Sequence, residues 1–482
     1  MKTRAIIGRQ CNGSDCRITP KASQAHPYID RRKREPKGRR NISSLRAGFL
    51  ALVSTVAAVF ALSVLPGSPN ESPSESLPAE ILYTTHPTIS INSNAQFNNT
   101  AYPSNGVVSG NGTAPDPYII EGWNISASSA MGIRIYNTDK HFIIRDCYIH
   151  DGGWDYYGIY LQSCSNGTVS NNNMSYNNCG IGTYLTTRIN IVNNSCYANE
   201  NVDIYLANSN NNTISNNSCR NNEHIGIDLQ ASSGNTVTDN NCTRVGIGIY
   251  LMQSSTENFV YNNSCSFNKY TGIELQESSG NTVISNNCSN NEGVGFYFIM
   301  SSHGNTVSSN TINSNSMYGV VIQQSSSNTL SFNNISNNLY AIYFIQASSY
   351  NNLSWNRLFY NSDMGVYIQE GSFNRFWNNT FAGNGGGQAY DSGLSNWWNT
   401  SGSPHGYGNY WSDLTAPDSN LDGIVDWSYN LTGSSGAKDY YPRTTPPVPI
   451  PEFPGMPLVV VAGLGIVLLF GGLRRRRIRL SP

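Results

Sequence analysis

The sequence predicts an all-β protein, a right-handed parallel β-helix of about eleven coils of 22–24 residues, with an N-terminal and a C-terminal membrane segment. Three observations carry this. First, segments such as GIDLQASSGNTVTDNNC, GIELQESSGNTVISNNC and GFYFIMSSHGNTVSSNTI recur at a fixed period, the mark of a repeat architecture. Second, each repeat holds two short runs that alternate apolar and polar, separated by Ser/Asn/Gly clusters, as half-buried strands do. Third, helix-forming runs of Ala, Leu, Glu and Lys are absent between them, which excludes a βαβ fold and a leucine-rich horseshoe. Coiling lets each strand pair with its equivalent one turn on, at roughly 4.8 Å, so eleven coils make a rod of about 50 Å.

From the N-terminus, residues 1–46 form a basic segment with 13 Lys+Arg and 3 acidic residues, expected to be cytoplasmic or a leader. Residues 47–65 are uncharged and apolar; 19 residues at about 1.5 Å each can cross a bilayer core of about 30 Å, so they read as a signal anchor or signal peptide. A Pro/Ser/Glu linker (66–80) leads to an N-terminal cap (81–131), the repeats (132–400), and a C-terminal cap with an Asp-rich loop (401–443). A Pro-rich linker with a sorting motif (444–457), a second apolar run (458–473) and a basic tail (474–482) complete the chain. Basic ends beside both apolar runs place those ends in the cytoplasm and the middle outside. That middle has 11 basic and 27 acidic residues, a polyanion that repels nucleic acid.

Coils start near Gly132, Gly158, Gly180, Asp203, Gly226, Gly248, Gly272, Gly295, Gly319, Ala341 and Gly365, with a partial coil from Gly387. One predicted interior column runs Met174, Cys196, Cys219, Cys242, Cys265, Cys288, Ile312, Ile335, Leu358, Phe381. A second runs from Val169 through Ile191, Ile214 and Val237 to Phe376. Two residues before each member of the first column stands an Asn: Asn172, Asn194, Asn217, Asn240, Asn263, Asn286, Asn310, Asn333, Asn356 and Asn379. Asn tolerates the left-handed conformation of a sharp turn, and stacked amides can bond one another from coil to coil.

The repeats resemble the parallel β-helix repeats of NosD-like proteins and of carbohydrate-binding and sugar-hydrolase (CASH) domains. Asn105-Gly106-Val107, Gly110-Asn111-Gly112-Thr113 and Asp116-Pro117-Tyr118-Ile119-Ile120-Glu121-Gly122-Trp123 resemble the start of archaeal members, and Gly408-Asn409-Tyr410-Trp411-Ser412-Asp413 their end. The resemblance covers about residues 82–443. It implies a β-helix fold, which hosts lyases, hydrolases, epimerases, adhesins and maturation factors alike. NosD-like proteins are associated with copper-site maturation in nitrous oxide reductase. Pro451-Glu452-Phe453-Pro454, the following apolar run and the Arg cluster resemble PEF-CTERM sorting signals of archaea, which implies an archaeosortase as partner and a cell-surface location.

Candidate chemistry falls in four places. The cysteine column suggests a soft-metal stripe, but it continues as Ile, Leu and Phe without CxxC, Met-rich or His-rich company; core packing explains it and copper is not supported. An outward stripe carries Tyr205, Tyr250, Tyr297, Tyr343 and Tyr367, with Gln230, Gln276, Gln323 and Gln369 two residues further on in their own or neighbouring coils. Aromatics and amides at rung spacing suit a linear glycan, while the β-propensity of Tyr supplies the alternative of a self-stacked sheet surface. Asp228 and Glu274 share that stripe two coils apart, about 9.6 Å by rung spacing, near the upper end for an inverting glycosidase pair. Asn137-Thr138-Asp139 echoes a polygalacturonase motif without its companions, and His150, Asp151 and Asp155 form a small polar cluster. Lastly, Asp418, Asn420, Asp422, Ile424 (through its carbonyl) and Asp426 follow the first nine positions of a calcium loop, with Tyr429 where an EF-hand has Glu; an Asx-rich turn is the alternative. No organic cofactor is expected. These readings combine into a non-catalytic surface β-helix that binds carbohydrate or serves the envelope, with a polysaccharide lyase or hydrolase and a copper-site maturation factor as alternatives.

Overall fold

The structure, a computed structural model, describes residues 83–98, 100–400 and 406–448. The basic leader, both apolar runs and the sorting motif lie outside the described residues. No helix among the described residues is long and apolar enough to cross a membrane.

The alternation of apolar and polar residues folds as anticipated, into a right-handed parallel β-solenoid of about 12 turns. Each coil visits three sheets, as in Ile225–Gln230, Thr236–Thr238 and Asn241–Thr243. The first sheet has 13 strands, from Ile89–Ile91 to Gly387–Asp391, and the second has 13, from Val107–Ser109 to Arg375–Trp377. The third begins as seven strands, from Thr84–Thr85 to Asn241–Thr243, and five more run from Thr311–Asn313 to Tyr410–Trp411. Isolated parallel bridges through Ser264 and Asn287 join those two sets. The extra turn relative to the sequence reading lies in residues 81–131. Tyr118–Glu121 and Trp123–Ser126 already pair in parallel with the next coil, so this segment is a first coil as well as a cap.

Both interior columns form in the expected register. Val169 pairs with Ile191, Ile191 with Ile214 and Ile214 with Val237. Met174 pairs with Cys196, Cys196 with Cys219 and Cys219 with Cys242. The cysteines from Cys196 to Cys288 are fully buried free thiols, and burial pushes those of Cys196, Cys219 and Cys265 well above their ordinary pKa.

The amide ladder is continuous. Asn263 Nδ2 donates to Asn286 Oδ1 (3.0 Å) and to the Val237 carbonyl (2.9 Å), while its own Oδ1 accepts from the backbone and side chain of Asn240. The left-handed residue of this corner is the one before the ladder Asn: Asn216, Asp239, Asn262, and even Phe332 and Trp355, have positive φ. The ladder therefore requires Asn for its amide and not for its backbone freedom. Two further ladders occupy the other corners, one from Asn212 through Asn235, Asn258 and Asn281 to Asn374, the other from Asn268 through Asn291 and Asn315 to Asn361. Beside the first of these runs a serine ladder in which Ser209 N–H meets Ser232 Oγ and Ser232 N–H meets Ser255 Oγ.

Both ends of the solenoid core are closed by aromatics. Phe97, on a short 3-10 turn, stacks on Tyr118 (4.6 Å) at the N-terminal end. At the C-terminal end Phe376 stacks on Trp398 (4.0 Å), Phe381 on Trp411 (4.4 Å) and Trp411 on Tyr429 (4.0 Å). Asp391 and Asp439 accept from the two indole N–H groups, each at 2.9 Å.

Candidate functional site

The first sheet has the longest strands, commonly six residues, so each presents several outward side chains per coil. In Ile225–Gln230, Ile227 and Leu229 point into the core at 0% exposure, which turns Asp228 and Gln230 outward. Parallel register then stacks one column: Tyr205, Asp228, Tyr250, Glu274, Tyr297, Val321, Tyr343, Tyr367 and Tyr390. The sequence-derived stripe is thus a spatial column, with Asp228 and Glu274 separated along it by Tyr250. Gln230, Gln276 and Gln323 lie on the neighbouring column.

The two columns are bonded to each other. Tyr205 donates to Gln230, Tyr250 to Gln276, Tyr297 to Gln323 and Tyr343 to Gln369 (2.5 Å), each reaching into the next coil. Gln230 and Gln323 pass the chain on to Gln253 and Gln346 at the strand ends, at 2.5 and 2.7 Å. These two glutamines extend the polar row and were not singled out from the sequence; their signal was their place just past the strand, 23 residues after Gln230 and Gln323. Toward the C-terminus the rings lie on one another, Tyr367 on Tyr390 at 4.7 Å and 8° and Tyr318 on Tyr343 at 5.1 Å and 15°. A ligand on this part of the face meets ring edges, hydroxyls and amides, because neighbouring rings cover the flat faces.

Between the tyrosines Asp228 is buried and Glu274 half-buried. Asp228 is 3% exposed and its Oδ1 has no hydrogen-bond partner. Burial pushes Asp228 up to about 7, and burial also pushes Glu274 to about 7 against the opposing bond from Thr271. The hydroxyls of Tyr250 and Tyr297 are raised by burial and then by Glu274 beside them.

The other sequence candidates serve the fold in this structure. Thr138 and Asp139 bond Asn94 and so hold the N-terminal cap. His150 Nδ1 lies 2.7 Å from Asp151, and its Nε2 lies 2.9 Å from Asn124 Oδ1. In the Asp-rich loop, Asp418 accepts from the N–H groups of Asp422 and Gly423, Asp422 from that of Ile424, and Asp426 from Ser419. This is Asx-turn bonding, which turns the carboxylates toward their own backbone.

The fold and this face define a class: a parallel β-solenoid with one aromatic and amide-rich side. More particularly, the chain belongs to the NosD family, described as periplasmic copper-binding protein (NosD), whose profile matches residues 88–269 and 264–416. No curated protein matches it. Among solved structures it is similar to the A-module of the Azotobacter vinelandii mannuronan C-5 epimerase AlgE6, with 15% identity over 57% of this chain and 87% of that one and a TM-score of 0.49. Others are the periplasmic alginate epimerase AlgG (16% identity, 58% and 77% coverage, TM-score 0.33) and a catalytic-domain variant of GH87 α-1,3-glucanase in complex with nigerose (14%, 66% and 68%, 0.36). Copper is not matched by the donors here. Cys196 to Cys288 are free thiols sealed in the core, and among the described residues no three His, Cys, Asp or Glu converge on one point.

Proposed function

We propose that the protein is a non-catalytic surface solenoid that holds an extended polysaccharide against the first sheet. The observation that carries this is the column from Tyr205 to Tyr390, in which tyrosines recur at every second coil as far as Tyr343 and at each coil after it, beside glutamines at every second coil, so that the pair repeats at about twice the rung spacing of about 4.8 Å. A polymer of sugar units can meet the same hydroxyl and amide pattern at every second coil, each contact weak and the sum appreciable. Simultaneous Tyr250→Ala, Tyr297→Ala, Tyr343→Ala and Tyr367→Ala substitution is expected to keep the β-sheet circular dichroism and lose retention on envelope polysaccharide. Absence of retention by the unsubstituted protein on every polysaccharide tried would refute the proposal.

A second reading, a polysaccharide-active enzyme, is favoured by one feature: burial in the tyrosine column pushes Asp228 and Glu274 up to about 7, the range suited to general acid–base groups. Against it, Asp228 is shielded by the tyrosines on either side, so a sugar resting on the face would not reach its carboxyl oxygens. Turnover that disappears in Asp228→Asn or Glu274→Gln would establish the enzyme instead. Surface location completes the proposal: residues 47–65 tether the chain, and residues 458–473 hold its C-terminal end in the membrane only until an archaeosortase cuts near Pro451–Pro454. Intact mass of the membrane fraction is expected to show that shortened C-terminus, and a mature chain still ending at Pro482 would contradict the trimming.

A further inference from the structure

The third sheet carries a separate feature. Its outward positions are mostly Ser, Asn and Thr, but near the N-terminal end four tyrosines gather around a cleft of about 750 Å³. Asn173, Ser175 and Ser195 form the floor. They are adjacent in register, since Asn173 pairs with Ser195 and Ser175 follows two residues after Asn173 on the same strand, so three short side chains leave a depression in the sheet surface. Tyr148, one coil before Asn173, and Tyr197, one coil after Ser175, close it along the rod. Tyr83 and Tyr176 complete the walls.

The walls are shaped for a ring. Tyr176 and Tyr197 are 51% and 42% exposed and stand perpendicular to each other, 6.3 Å apart at 85°, so one offers an edge where the other offers a face. Tyr83 meets Tyr148 at 6.0 Å and 43°. One side of Tyr148 is backed by the His150 ring at 4.5 Å, and its hydroxyl accepts from Ser175 Oγ at 3.4 Å, which holds it in place. The lining has phenol rings, hydroxyls and one amide, but no charged side chain. Behind the wall, His150 is held by Asp151 and Asn124, and Asp146 lies close enough to Tyr83 to help burial raise its hydroxyl.

We infer that this cleft is a binding site for a neutral sugar segment, distinct from the polysaccharide face of the first sheet. Aromatic walls take the apolar faces of a pyranose, and the Ser/Asn floor bonds its hydroxyls. A uronate would lose its hydration here without gaining a cation, so the cleft selects uncharged units. The inference goes beyond the polysaccharide-face reading and uses none of its residues.

The test is calorimetry of the full-length chain with cellohexaose, maltohexaose and N-acetylchitohexaose, with hexagalacturonate as the charged comparator. At least one neutral oligosaccharide is expected to bind at one site per chain and more tightly than hexagalacturonate. Tyr197→Ala is expected to weaken that binding about tenfold or more, and Ser195→Trp, which fills the depression from an exposed sheet surface, to abolish it. The quadruple tyrosine substitution on the first sheet is expected to leave it unchanged. Failure of all three neutral probes, tighter binding of hexagalacturonate, or full binding by Ser195→Trp overturns the inference. Loss of binding in the quadruple variant alone would overturn it too, by moving the sugar to the first sheet.

Discussion

Asp228 and Glu274 sit where parallel register places them, between tyrosine rings that strip their water. Their folded-state pKa values near 7 stand above the ordinary values of about 3.9 and 4.3. The folded protein therefore keeps protons that the unfolded chain releases. The stability tied to these protons is complete below about pH 4 and is lost as the pH rises through 7. Asp439, raised to about 6 by burial, acts in the same direction. The melting temperature is expected to be higher at pH 5 than at pH 8, and the Asp228→Asn/Glu274→Gln double variant is expected to narrow the gap. Identical melting of the unsubstituted protein at both values would show that these carboxyls are solvated. The thiols make a parallel case. Burial raises Cys196, Cys219 and Cys265 and closes them off, so iodoacetamide at pH 8 is expected to spare the native column and to label it only after denaturation. Native-state alkylation of Cys242 would place the column elsewhere.

The corner, more than the strand, is the element that sets the coil. Three-residue strands such as Thr236–Thr238 have little to hold them singly, and the Asn ladders tie each to the next. Replacing Asn263 by Ala leaves the Asn240 N–H and the Val237 carbonyl without their buried partner. The expected loss is about 1–3 kcal/mol, read from denaturant unfolding. An unchanged midpoint with the fold intact would mean the ladder contributes nothing net. The loop from Asp418 to Asp426 is an element of another kind. We propose that it takes calcium weakly, at about 10⁻⁴–10⁻³ M, by exchanging its carboxylate-to-backbone bonds for the cation. Calorimetry at millimolar calcium checks this, and an affinity indifferent to Asp422→Ala would leave the loop a turn.

For the solenoid as a whole, coils contact their neighbours only, so the ends decide solubility and the order of unfolding. The C-terminal end depends on Trp398 and Trp411, at 0% and 1% exposure, each tied to a buried aspartate. Trp411→Ala is expected to cost about 3–5 kcal/mol and to uncover Phe381. Limited proteolysis is then expected to begin in the last coils and to spare the middle of the rod. Uniform cleavage along the chain would show that the solenoid unfolds as one cooperative block.

The sequence alone determined the coil period, the inward columns from Met174 and Val169, and the alignment of Tyr205, Asp228, Tyr250 and Glu274. All of these follow from a two-residue alternation that returns every 22–24 residues beside the same turn Asn, and that pairing of strand and turn leaves one register. It did not show that Asn212 and Asn268 begin ladders of their own, because an Asn in a Ser/Asn/Gly cluster looks like any turn residue until the corner angle is known. Nor did it show the cover over Asp228, since an outward position on a strand is exposed only if its neighbours leave it so. Large rings one coil above and below close that space, and the same crowding raises the carboxyl. The cleft at Ser195 has the converse origin. Short side chains from two coils leave a hollow there, and its tyrosine walls come from segments as far apart in sequence as Tyr83 and Tyr197. Concavity depends on distances between coils, and only the tertiary structure fixes those.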